Sequence, residues 1–201
     1  MKRTKKQWAK DIAIFGLIII ASILYFYLNT PRDVLNIVKT FLDDGIPRLP
    51  VFTIFYLAFL PWLWGVIFYS FIKNKSFRPL AISLIVVNLI ASLVYIFFQT
   101  YVPREVINSN DIFSDILKFI YSNDQAYNGF PSLHSALSTV IAVYFVMTKN
   151  KYAWAAILIA ILIVASTLFT KQHFVLDVVS GVGLGWVVTW VVFRRTRVVE
   201  G

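Results

Sequence analysis

Three stretches of this chain, residues 12–28, 49–72 and 79–102, contain no charged residue. A helix that crosses a bilayer needs about 20 consecutive, mostly apolar residues. Runs of this kind leave few folds open besides a bundle of membrane helices, because the backbone in hydrocarbon must satisfy its own hydrogen bonds. A fourth uncharged run covers 152–170. Two weaker runs, 134–148 and 174–193, begin beside polar residues: Ser132, His134 and Ser135 in one, His173 and Asp177 in the other. The expectation is an all-α integral membrane bundle of six transmembrane helices. Composition agrees, at 59% hydrophobic and 14% charged over 201 residues, against about 45–50% and about 25% in soluble domains.

Basic residues set the orientation, since cytoplasmic segments are enriched in Lys and Arg. One side of the expected bundle carries Lys2, Arg3, Lys5, Lys6, Lys10, Lys73, Lys75, Arg78, Lys149, Lys151, Arg194, Arg195 and Arg197. The other carries Arg32, Lys39, Arg48, Arg104, Lys118 and Lys171. This split places both termini in the cytoplasm of a multi-pass cell-membrane protein. It also accounts for the net charge of +9 without a nucleic-acid partner. The first apolar run is longer than the about 7–15 residues of a signal peptide, and no A-x-A-like site follows it, so it reads as a retained span. The chain reads as a single membrane domain, 1–201, with its core at 49–193 and an N-terminal region at 1–48. Within the 29–48 connection Val34, Val38, Phe41 and Leu42 share a helical face, the pattern of a helix lying on the membrane surface.

With no cysteine, disulfide, thiolate and cysteine-nucleophile chemistry are excluded. The only histidines are His134 and His173. They sit in two of three polar clusters: 99–104 (QTYVPR), 128–135 (NGFPSLHS) and 166–177 (STLFTKQHFVLD). The topology, counted without these clusters, puts all three on the non-cytoplasmic side. Together they offer two imidazoles, a carboxylate, a guanidinium, an ammonium and several hydroxyls, a set suited to phosphate. At i, i+4 on a helix, His173 and Asp177 would share a face. A carboxylate on one ring nitrogen fixes the tautomer and leaves the other free to attack, with His134 as general acid. Gly181 and Gly185, inside an apolar run, read as close helix packing rather than a phosphate loop.

These clusters resemble the motifs of the type-2 phosphatidic acid phosphatase superfamily. Pro131-Ser132-Leu133-His134 is similar to its Pro-Ser-Gly-His motif, and Ser166, His173 and Asp177 fall in register with its Ser-Arg–His–Asp motif. Arg104 matches the Arg of its Lys–Arg-Pro motif. Four positions depart: Leu133 stands for Gly, Thr167 for Arg, Phe97 for Lys and Glu105 for Pro. The Phe-Pro-Ser-Leu-His and Lys-Gln-His forms look most like the branch with inositol-phosphorylceramide synthase-like proteins. The resemblance implies catalytic roles for His173 (phosphohistidine), Asp177 (its orienter) and His134 (proton donor). It implies phosphate contacts from Arg104, Ser132 and Ser166, with Lys171 replacing a missing cation, and no metal or other cofactor. The expected activity is a lipid phosphate or polyprenyl diphosphate phosphatase at the outer membrane face. A headgroup phosphotransferase of the same fold and a non-catalytic lipid-phosphate binder or transporter remain as alternatives. Nothing in the pattern speaks to oligomeric state.

Overall fold

The structure, a computed structural model, describes residues 3–32, 36–73 and 76–200. Lys2, Val34 and Lys75, used above, lie outside them, as does the side chain of Arg197. The described residues are all-helical: α1 (Lys5–Leu28), α2 (Phe41–Asp44), a 3-10 turn at Pro50–Phe52, α3 (Thr53–Lys73), α4 (Phe77–Phe97), α5 (Ile112–Asn123), α6 (Leu133–Met147), α7 (Ala153–Phe169) and α8 (Val175–Glu200). They contain no strand, only isolated bridges joining Asn36 to Thr100 and Tyr101 to Tyr127.

Four helical stretches are long and apolar enough to cross a membrane: Lys5–Leu28, Pro50–Lys73, Phe77–Phe97 and Val175–Thr196. The other two expected spans are shorter. α6 has 15 residues and α7 has 17, roughly 22 and 26 Å at the usual rise. Each is cut short at the same end of the bundle. α6 starts only after Ser132, whose hydroxyl accepts from the Ser135 N–H. α7 stops at Phe169, and the chain then turns through Lys171 at φ 54°. The two missing turns leave a recess at that end, and the polar clusters occupy it.

One local reading changes, and one helix was not expected. The surface helix expected in 29–48 is a single turn, α2, preceded by extended chain from Asn36. Thr40 and Asp43 cap that turn reciprocally, which satisfies the backbone locally without a longer helix. The segment 103–131, for which no element was read, contains α5, whose N-cap Asp111 accepts from Phe113 and Ser114 N–H groups. It buries Leu117 and Ile120.

Packing fixes the recess. α4 and α6 form the centre, with Leu80, Leu84, Val87, Tyr95, Val140 and Ile141 buried. α8 lies directly on α6. A Cβ at Gly181 would collide with the Ser132 carbonyl, and one at Gly185 with that of Ala136; this is the close packing expected of the glycine pair. The Ser132 N–H donates to the Asp177 carbonyl across the same contact (2.9 Å). At the opposite end Asp11 is buried between Arg3 (2.8 Å) and Arg78 (2.7 Å). Trp8, Phe71 and Phe77 pack edge-on beside it, and Tyr144 near the end of α6 packs against Phe193 near the end of α8. The basic segments therefore gather at one end and the polar clusters at the other.

Candidate active site

His173 precedes α8 rather than lying on it. Its N–H and that of Gln172 donate to the Thr167 carbonyl, closing the turn that follows α7. Asp177 sits in the first turn of α8, and its Oδ2 accepts from the Phe174 N–H at 2.8 Å. This capping contact aims the carboxylate back along the chain. Oδ2 lies 3.5 Å from His173 Nδ1. So the two do meet, through a capping turn instead of a shared helical face. Asp177 is fully buried, and its Oδ1 has no hydrogen-bond partner. Such a carboxylate is costly unless a positive group accompanies it. The site has little slack, because a Cβ at Gly129 would stand 3.2 Å from Oδ2.

His134 is the second residue of α6. Its ring is stacked on Tyr56 (centroids 4.5 Å) and tilted against Phe59 (4.4 Å), both from α3. It lies 6.0 Å from the His173 ring, close enough for one phosphoryl group to touch both. Tyr56 in turn donates to Asp124 Oδ2 at 2.5 Å. Asp124 Oδ1 also accepts from Tyr25 (3.2 Å) and Asn29 (3.0 Å) of the first helix and its cap.

The cations sit around this pair. Arg104 donates to the carbonyls of Lys171, Asp124 and Gln125, each at 3.2 Å. Its guanidinium lies 4.8 Å over the Tyr121 ring, and its Nε is buried without a partner. Burial pushes the Tyr121 hydroxyl up to about 12, so it stays protonated and donates to the Thr170 carbonyl (2.7 Å). Lys171 Nζ donates to the carbonyls of Ile46 (2.6 Å) and Asp43 (3.3 Å). With His173 it lines a charged cavity of about 350 Å³ that Lys39, Arg48, Asp44 and Glu105 also border.

The hydroxyls differ. Ser132 is buried beside the Asp177 backbone and accepts from the Ser135 hydroxyl and N–H. Ser166 is buried and donates to the Ile163 carbonyl in its own helix (2.6 Å); it lines neither cavity beside the histidines.

Sequence reasoning missed three residues. Asp43 caps α8 from outside, accepting from the Val175 N–H at 2.8 Å; two carboxylates thus face the positive end of that helix. Tyr56 and Asp124 hold the His134 ring. Only Asp124 left a trace, at the end of the α5 periodicity of Ile112, Leu117 and Ile120. The contacts of Asp43 and Tyr56 are made over long sequence separations that no local pattern records.

A family model described as the PAP2 superfamily matches residues 77–199. The chain is 31% identical over 180 residues to an uncharacterised protein of Methanocaldococcus jannaschii, covering 82% of this chain and 74% of that one. It is 25% identical over 150 residues to a lipid A 4'-phosphatase of Porphyromonas gingivalis, covering 70% of this chain and 64% of that one. No solved structure matches.

Proposed function

The chain belongs to the PAP2 superfamily, and on that premise we propose that it dephosphorylates a membrane lipid phosphate through a phosphohistidine at His173. The family and the likeness to a lipid A 4'-phosphatase support a phosphatase-type activity on lipid phosphates. The observation that carries the finer reading is the line Asp177–His173–His134, with separations of 3.5 and 6.0 Å.

Asp177 holds the His173 Nδ1 side, so Nε2 attacks phosphorus. The bond from phosphorus to the lipid oxygen breaks, and His134 gives that oxygen a proton, releasing the lipid alcohol. The positive phosphoimidazole supplies the partner that buried Asp177 lacks. Water then attacks phosphorus and passes a proton to His134; the N–P bond breaks, and inorganic phosphate leaves. The unpartnered Nε of Arg104 and the ammonium of Lys171 supply cationic contacts to phosphate. Ser132 contributes through the start of α6, whose N–H groups face an anion. Ser166 serves as the buried brace of α7.

The same reading takes the whole chain as one membrane domain with core 49–193. All six apolar helices span, α6 and α7 meeting a recessed face, with both termini cytoplasmic and the histidines outside. The clustering of basic residues at the end opposite the histidines supports it.

The test is phosphate release by the purified protein in detergent, with chelator present. Substrates are polyprenyl diphosphate, phosphatidate, phosphatidylglycerol phosphate, a sphingoid phosphate and lipid A. Release from one class, lost in His173→Ala, is the expected result. Full release by His173→Ala would end the phosphohistidine reading. A product that carries phosphate on an added acceptor alcohol, with no free phosphate, would make the chain a phosphotransferase.

A further inference from the structure

A second cavity, of about 440 Å³, lies on the other side of His134. Its lining is mostly apolar, with His134, Asp124 and Asn123 at one end and the polar side chains of Ser22 and Asn88 elsewhere along it. One wall is α1, through Ile19, Ser22, Ile23 and Phe26, at i, i+3, i+4 and i+7. The facing wall is α3, through Leu57 and Leu60.

The shape follows from how the two helices pack. Lower down they are joined by aromatic contacts, Phe15 with Phe71 at 5.0 Å and Phe15 with Trp64 at 6.2 Å. Above Trp64 Ile19, Ser22 and Ile23 of α1 leave the gap unfilled. Around its mouth Ile23, Phe26, Leu57 and Leu60 are all exposed, on a face that hydrocarbon surrounds in a membrane. Along α1 the cavity runs from Phe26 to Ile19, roughly 10 Å at the helical rise, about the reach of an octyl segment.

We infer that this cavity between α1 and α3 binds the hydrocarbon chain of the lipid leaving group. The inference rests on the proposed reaction. A general acid must face the leaving oxygen, so the carbon skeleton attached to that oxygen lies on the His134 side. The charged cavity belongs to the His173 side, with Lys171. Two cavities of opposite character thus meet at the histidine pair, as an amphiphilic phosphate ester requires. α1 lies outside the residues the family model matches. Chain selection is therefore set by an element outside the matched core.

The test compares butyl and octyl phosphate, in the full-length protein and in Ser22→Trp, which fills the cavity from a position outside the catalytic residues. Ile20→Trp is the control, because Ile20 is exposed and does not line the cavity. Wild type should prefer octyl phosphate. Ser22→Trp should lose about tenfold in kcat/KM for octyl phosphate, the order of effect of a steric conflict in a packed site, with butyl phosphate unchanged. Ile20→Trp should alter neither. If both substrates respond alike to Ser22→Trp, or neither responds, the cavity does not hold the chain and the inference fails while the phosphatase reading stands. If wild type releases phosphate from no substrate, the proposed function fails instead. An octyl phosphate with a terminal diazirine then decides the cavity alone: labelling of α1 at Ile19 or Ile23 supports it, and labelling confined to other helices overturns it.

Discussion

The ring of Tyr56 lies stacked 4.5 Å from that of His134, while its hydroxyl reaches Asp124 Oδ2 at 2.5 Å. One side chain thus ties the proposed proton donor to a carboxylate that also holds Tyr25 and Asn29. Tyr56→Phe keeps the stacking and removes the tie; Tyr56→Leu removes both. Leaving a buried acceptor short of a donor costs about 1–3 kcal/mol, so both variants should melt lower in detergent. If the stacked ring fixes His134, kcat should fall further in Tyr56→Leu than in Tyr56→Phe, with KM little changed. Equal kcat in the two variants would show that stacking does not position the imidazole.

His134 as the acid implies a dependence on the leaving group. An alkoxide leaves poorly without a proton, whereas nitrophenolate leaves without help. His134→Gln should cost about 10²–10⁴-fold with an alkyl phosphate. The loss should be much smaller for nitrophenyl phosphate, measured as chromophore release. An equal loss with both substrates would remove His134 from the acid role.

Asp177→Asn keeps a side chain of the same size on the Phe174 N–H but withdraws the charge beside His173 Nδ1. In the Ser–His–Asp triad, where a buried carboxylate also faces Nδ1, such a change costs about 10⁴-fold. A loss of that order in kcat, with the melting temperature held or raised, is the expected outcome. The melting temperature should not fall because the amide oxygen still accepts from the Phe174 N–H, while the cost of burying a charged carboxylate is removed. A variant that unfolds would instead make Asp177 a structural cap of α8.

Much of this site was legible in the sequence, and what was missed has a physical pattern. Uncharged runs announce helices, and the shared register of His134, His173 and Asp177 announces chemistry, because both are recorded in local spacing. The apolar runs 134–148 and 152–170 bounded α6 and α7 to within a residue; what hydropathy alone did not show was the Ser132 cap that starts α6 and the left-handed Lys171 that follows α7. The surface helix over 29–48 lost to the reciprocal Thr40–Asp43 cap, whose carboxylate was more useful at the start of α8. The position of Asp124 at the end of α5 left a trace, but its role did not, because its three donors, Tyr25, Asn29 and Tyr56, lie 68 to 99 residues away.

The chain has no cysteine, so single introduced cysteines report topology cleanly. Glu105→Cys lies on the histidine side, and Asn150→Cys joins α6 to α7 at the basic end. A membrane-impermeant maleimide added to intact cells should label the first and spare the second. The reverse pattern would place the histidines in the cytoplasm.

The α6–α8 contact offers a matched pair of substitutions within two residues. Gly181→Ala puts a methyl group into the Ser132 carbonyl, while a Cβ at Gly183 meets nothing within 4 Å. Alanine is otherwise the better helix former, by roughly 0.5–1 kcal/mol. Gly183→Ala should therefore melt at the same or a higher temperature and keep full activity. Gly181→Ala must separate α8 from α6, at about 1–3 kcal/mol for overpacking. The same separation strains the bond from Ser132 N–H to the Asp177 carbonyl and shifts Asp177 and His173 relative to His134. Activity should therefore drop at temperatures well below the melting transition, with the loss in kcat rather than KM. Activity of Gly181→Ala that equals wild type until the protein melts would mean that the helix contact holds the fold but does not set the distance between the two histidines.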